Sequence, residues 1–335
     1  MRTAFELACG LLKVQAMRSR LVLLLALPAA ALAALSTVGR SDGETTPEEE
    51  ARLRCASRLS LSMTGRSAST ELLTSPDPQA RVDALLADDA FVEQFARFIN
   101  SKLNDDPGEM PAADATYFLA RHVLVNNLPW RELFDGKFRV ETIPAADGNP
   151  AMTRVVADPN GLGYFRSRAW MIRYAGNEPA GYRLNSAFRI QQNIIGLDVG
   201  AVTSAPEVDI SATGRMAAAC KGCHYDSYFA LDKVAKVLSR RQGPDDAITF
   251  VPPDEGPQTI LGGKTIANDA ELVTALVEST DHKFQTCRLA FEFLYGRPEA
   301  TCEALLFDKC IDAYTATGDI RAAVKSIAQD PGYCE

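Results

Sequence analysis

The chain has 335 residues, 47% of them hydrophobic, enough apolar material for one or two buried cores, so it is not a low-complexity or disordered polypeptide. Its formal charge is -8 at pH 7, with a pI near 5.1. A nucleic-acid binder needs clustered Lys and Arg to displace counterions, so this balance argues against nucleic acid as a partner.

Arg18 and Arg20 precede an apolar run over residues 21–35 that ends in small residues, with Ala31-Leu32-Ala33 as an A-x-A type cleavage site. The run is shorter than the ~20 apolar residues a membrane-spanning helix requires. Residues 1–34 therefore read as a secretory signal peptide, an uncleaved anchor being the competing reading. Export places the mature chain in the periplasm or cell envelope, with no integral membrane span after cleavage. Loss of Arg2, Lys13, Arg18, Arg20 and Glu6 takes the formal charge from -8 to -11, a surface that favours basic partners without naming one.

Residues 35–50 are polar and read as a linker. Within it, Thr46-Pro47-Glu48-Glu49 supplies a cap residue, Pro at the first helical position and Glu at the third, which predicts a helix through Arg52 to about Leu61. Leu85, Leu86, Phe91, Val92, Phe95, Phe98 and Ile99 recur at three- and four-residue spacing, an amphipathic helix or helix pair ending near Asn104. A further helix is expected at Tyr117 to Asn126. Phe138 to Ile143 and Thr153 to Ala157 flank a turn-rich stretch, as in a small hairpin. Helical spacing returns at Leu162 to Tyr174 and Arg183 to Ile195, separated by a Gly- and Pro-containing loop. After an irregular stretch, helices are expected at Ser227 to Arg240, Asp269 to Ser279, Phe284 to Tyr295 with Gly296 as its stop, and Ile320 to Gln329. The fold class expected is a mainly α, multi-helix protein with at most a small β-hairpin. Residues 51–145 form an N-terminal helical domain in this reading, 146–210 a middle helical region, and 211–335 a C-terminal domain.

The string that carries chemistry is Cys220-Lys221-Gly222-Cys223-His224. A c-type haem needs two thiols, each adding across one vinyl group, and a His beside the second thiol to bind iron through a ring nitrogen. With eight Cys and three His in the chain, chance would produce this string about 0.002 times, so coincidence is a poor account of it. Three other readings compete. A thioredoxin-like pair belongs in a βαβ setting, a zinc site needs two further ligands, and a Cys220–Cys223 disulfide leaves His224 without a role. The cofactor expected is one covalent haem c, on Cys220 and Cys223, with His224 as the proximal iron ligand, in a cytochrome c-like C-terminal region.

No Met follows Met216, so a Met on the second iron position has to come from upstream. Met171, in Ala169-Trp170-Met171-Ile172-Arg173-Tyr174, is the candidate distal ligand, ahead of Met110, Met152 and Met216. His122 reads as a packed core residue and His282 as a solvated one. An open distal site is the other alternative. Beyond the haem pair the mature chain keeps Cys55, Cys287, Cys302, Cys310 and Cys334. At most two disulfides form among five cysteines, and the crowding of four near the C-terminus suggests staples between the last helices.

The segment Cys220-Lys221-Gly222-Cys223-His224-Tyr225-Asp226, followed by Phe229-Ala230-Leu231-Asp232, resembles the haem segment of planctomycete-type cytochrome c proteins. Phe284-x-x-Cys287-Arg288 to Tyr295-Gly296-Arg297 is similar to their C-terminal module, and Arg58 to Gly65 to their N-terminal one. In this chain Ser227 stands where those proteins carry Pro, and Phe229-Ala230 replaces a Gly-Phe step. The resemblance implies haem and an envelope location. The expectation is an exported mono-haem cytochrome that exchanges electrons with a redox partner protein in the envelope. The alternatives are a peroxidase-like haem enzyme and a non-redox envelope binding module.

Overall fold

The computed structural model describes residues 45–108, 114–143, 145, 152–175, 183–199, 209–244, 248–253 and 255–335. The segment expected to be a signal peptide, Met110, the loop between the expected helices at 162–174 and 183–195, and most of the hairpin turn lie outside these residues.

Helix α1, Pro47–Thr64, begins inside the polar linker as its capping residues dictate. Thr46 Oγ1 accepts from the Glu49 N–H at 3.2 Å, and Gly65, left-handed at φ 66°, returns its N–H to Leu61 O. The expected amphipathic pair is present as Val82–Leu86 and α2, Asp89–Leu103, the latter capped by Asp88. Helix α3 is Ala115–Val125. Strands β1, Phe138–Ile143, and β2, Met152–Ala157, pair antiparallel with Val140 opposite Val155.

Two expected helices are shorter than their apolar spacing predicts. Within 162–174 the helix occupies only Arg168–Arg173, capped by Ser167. Gly163 explains this: its φ is +44°, and a Cβ there would meet Leu133 O at 2.3 Å, so the chain turns closely over residues 133–134 before a helix can start. After α4, Leu184–Ile195, the helix expected over 227–240 becomes α5, Leu231–Val237. Ala230 at φ 21° breaks the helical path at its start, and extended Leu238 leads into a strand at its end.

The expectation of at most one hairpin is corrected. Among the described residues there are three two-stranded antiparallel sheets: β1–β2, then β3, Arg240–Gln242, with β4, Thr249–Val251, then β5, Gln258–Ile260, with β6, Lys264–Ile266. The added strands are three residues long, too short for alternation to register. The chain closes with α6, Asp269–Val277, α7, Thr280–Tyr295, α8, Ala304–Thr317, and α9, Ile320–Ala328. Gly296 ends α7 in the left-handed conformation, as expected, whereas α8 is a helix beyond those expected.

One continuous buried cluster runs from Cys55 to Tyr333. Its centre is aromatic: Phe95 of α2 meets Phe293 of α7 at 4.9 Å and 75°, and Trp130 at 5.8 Å, both edge-on. Cys55–Cys334 ties α1 to the C-terminus, and Cys287–Cys310 ties α7 to α8. The second is a staple of the kind expected between C-terminal helices; the first joins the two ends of the described chain. No described helix is long and apolar enough to cross a membrane. On this body α5 packs against α4 and β5, and the segment with the cysteine motif precedes α5 and packs on it.

Candidate functional site

The motif occupies a short helix, Ala218–Lys221, continued by a widened turn, Gly222–Asp226, in which the Ser227 N–H reaches back to Gly222 O at 2.8 Å. Such five-residue turns recur at functional sites. Cys220 lies in the short helix, and Cys223 and His224 lie in the widened turn that continues it. The two thiols are not bonded to each other; Cys220 is partly buried and Cys223 exposed. The competing reading of a Cys220–Cys223 disulfide is therefore not what the fold adopts. Nor does the motif follow a strand: the element before it among the described residues is the single turn Gly214–Met216.

Ser227 closes the segment. Its Oγ accepts from the Ala230 N–H at 3.0 Å and donates to Cys223 O at 3.3 Å. Asp226 pairs with Lys221 at 3.3 Å on the surface. Behind the turn, Leu261 N–H donates to Tyr228 O, and the Gln191 side chain of α4 donates to Phe229 O at 3.0 Å, which fastens the segment to the body.

His224 is oriented by residues the sequence reading did not single out. Its Nδ1 lies 2.6 Å from Asp232 Oδ2, in the first turn of α5. Asp232 is 7% exposed; its Oδ1 accepts from Arg215 Nη2 at 2.7 Å and Tyr225 Oη at 3.2 Å, and Arg215 Nε is shared between Oδ1 at 3.2 Å and Oδ2 at 3.0 Å. Arg215, 5% exposed, also donates from Nη1 to Ile210 O at 2.5 Å. Burial pushes the Asp232 carboxyl up, but hydrogen bonds and charge from Arg215 and His224 outweigh it and hold the group below its ordinary range. Asp232 is thus an anion, and an anionic carboxylate only accepts. The Nδ1 that faces Oδ2 therefore carries a proton, and in the neutral tautomer with that proton Nε2 has its lone pair available; among the described residues Nε2 makes no hydrogen bond.

Exposed apolar side chains lie near the motif in sequence. Of the eight large hydrophobic residues exposed among the described ones, three flank the motif: Ile210 (67%), Met216 (57%) and Tyr228 (44%). A Cβ at Gly222 would meet nothing within 4 Å, so the space over the turn is open. Two unpaired thiols, an imidazole with a free ring nitrogen and uncovered apolar side chains form a donor set that fits a covalently held haem. Among the described residues no group of three or more His, Cys, Asp and Glu could hold a bare metal ion.

The distal candidate is placed elsewhere. Met171 is buried in the core, in a helix whose Trp170 packs at 4.8 Å from both Phe165 and Tyr174. That helix is not among the elements packed closely on the motif segment, which are the 214–216 turn and α5. Met216 and Met152 are exposed. His122 is half-buried, edge-on to the Phe138 ring at 4.7 Å, and burial lowers its pKa. His282, expected to be solvated, is corrected to a core residue at 2% exposure. Its Nδ1 meets Ile194 O at 3.0 Å and its Nε2 meets Tyr314 Oη at 3.2 Å, so both ring nitrogens are engaged.

Arg215 and Asp232 stand seventeen residues apart with the motif between them, a pairing that no local spacing announces. No family model, curated protein or solved structure matches the chain.

Proposed function

We propose that Cys220 and Cys223 hold one haem c through thioether bonds, that His224 binds its iron through Nε2, and that the chain is an exported electron-transfer cytochrome of the periplasm or cell envelope. The observation that carries this reading is the pairing of two unbonded thiols with a histidine whose Nδ1 is fixed on a buried carboxylate. Metal-ligating histidines characteristically donate their other ring N–H in this way, which sets tautomer and ring orientation. When bound, haem supplies a one-electron iron couple. The chain's own residues do the rest: Asp232 and Arg215 hold the imidazole, Ser227 closes the turn behind it, and Ile210, Met216 and Tyr228 offer apolar contact. Exposure of Cys223 keeps the attachment site at the surface, within reach of a redox partner protein. The acidic mature chain favours a partner with a basic face.

A second reading, a peroxidase-like haem enzyme with an open distal site, is favoured by the burial of Met171 and by the engagement of both His282 nitrogens. Optical spectra of the protein matured with haem-attachment machinery separate the two. A low-spin spectrum with a band near ~695 nm when oxidised, and no response to carbon monoxide when reduced, supports a Met-ligated carrier. A high-spin spectrum with rapid carbon monoxide binding moves the assignment to the enzyme. Absence of covalent haem overturns both.

A further inference from the structure

We infer that Asp232, clamped by Arg215, is a positioning residue for His224 and tunes the reduction potential of the iron that His224 binds. The inference rests on the haem reading above. Arg215 is nearly inaccessible in a segment that is otherwise open, residues 216–219 and 221–223 being all exposed, and it reaches the buried Asp232 in α5. Desolvating an ion pair costs about as much as its attraction returns, so fold stability alone is a weak reason to bury one here. What the burial does secure is direction. The guanidinium grips the carboxylate through Nε and Nη2, Nη1 is tied to Ile210 O, and Tyr225 takes a third approach, so the Oδ2 that meets His224 Nδ1 has little freedom to turn.

Two effects on a bound iron follow, and they carry signs. A carboxylate accepting from Nδ1–H makes Nε2 a stronger donor, and its negative charge favours the more positive, oxidised iron. Both lower the reduction potential. The Arg215 charge opposes them by drawing electron density from the same carboxylate. Removing Asp232 and removing Arg215 must therefore move the potential in opposite directions, which a merely structural ion pair would not do.

The test is redox titration of the full, haem-loaded chain, followed optically, for the native protein and for Asp232→Asn, Asp232→Glu and Arg215→Gln. Asp232→Asn is expected to shift the reduction equilibrium at least tenfold toward reduced iron, ~59 mV for a one-electron couple. Arg215→Gln should shift it toward oxidised iron, and Asp232→Glu, which keeps the charge, should return nearer to the native value. A shift below tenfold for Asp232→Asn, or the same direction for both neutralising variants, overturns the inference. If the variants fail to fold, nitrogen-15 NMR of the native haem-free chain decides it: a proton on Nδ1 of His224 supports the positioning role, and a proton on Nε2 overturns it. Failure of the native chain to take up haem would instead count against the haem reading, and the tautomer would still report on Asp232.

Discussion

Cysteine is used in opposite ways in two regions of this molecule. In the helical body, Cys55, Cys287 and Cys310 are buried and bonded, and their bridges join α1 to the C-terminus and α7 to α8. In the motif segment, Cys220, partly buried, and Cys223, exposed, stand unbonded three residues apart. The body is held by burial and covalent closure. The segment is held by a few polar anchors, namely Ser227, the Gln191 contact and the Arg215–Asp232 pair, with its apolar side chains left uncovered. Residue type alone does not separate a staple from an unbonded thiol; burial and partner do.

The largest effect that could break this contrast lies in the body. Closing the 279-residue separation between Cys55 and Cys334 restricts the unfolded chain more than closing the 23 residues between Cys287 and Cys310. Loop-entropy arithmetic gives about 5 kcal/mol for the long bridge and about 3 kcal/mol for the short one. Cys55→Ala with Cys334→Ala should therefore lower unfolding stability in denaturant more than Cys287→Ala with Cys310→Ala.

His282 gives the next largest effect. Burial pushes its pKa down to about 4, against a weaker opposing pull from the Ile194 carbonyl. Because the folded value lies below the unfolded one, the unfolded chain binds the proton first. Stability is full above pH 6.5 and falls as pH drops toward 4, by about 3 kcal/mol from this group. His282→Gln should remove that component of the pH dependence, read as the difference between the two proteins unfolded across the same pH series.

Smaller effects sharpen the description of the segment. Ser227→Ala removes the acceptor for the Ala230 N–H and should cost about 1 kcal/mol, with faster hydrogen exchange confined to residues 222–231. Cys220→Ala with Cys223→Ala should change the stability of the haem-free chain by no more than ~0.5 kcal/mol, because neither thiol is bonded or fully buried. A large loss from that double variant would mean the segment belongs to the structural core after all.

Much of the body was legible because its signals are local. Thr46-Pro47-Glu48-Glu49 caps α1 as read, Gly296 ends α7, and strand alternation placed β1 and β2 to within a residue. Failures arose where backbone conformation or distant partners overrode spacing. Apolar residues at 162–165 look helical, but Gly163 takes them over residues 133–134. The Gly262-Gly263 pair was a hairpin signal; with Leu261 it forms three consecutive positive-φ residues between β5 and β6. At the site, Cys220, Cys223 and His224 were readable as a string, and they stand together in the fold. Arg215 and Asp232 were not, since their meaning comes from how two turns and a helix fold around the motif. His282 misled because its charged neighbours Asp281 and Lys283 suggested a wet face, while the helix turns its ring toward Phe134 and Tyr314.

The central claim is tested most directly by maturing the full chain in a host with haem-attachment machinery and measuring, on denatured protein, its mass and the spectrum of any haem that remains. The account predicts one haem per chain that survives denaturation, lost in Cys220→Ala with Cys223→Ala. A native chain that emerges with no covalent haem, or a double variant that keeps it, would contradict the account.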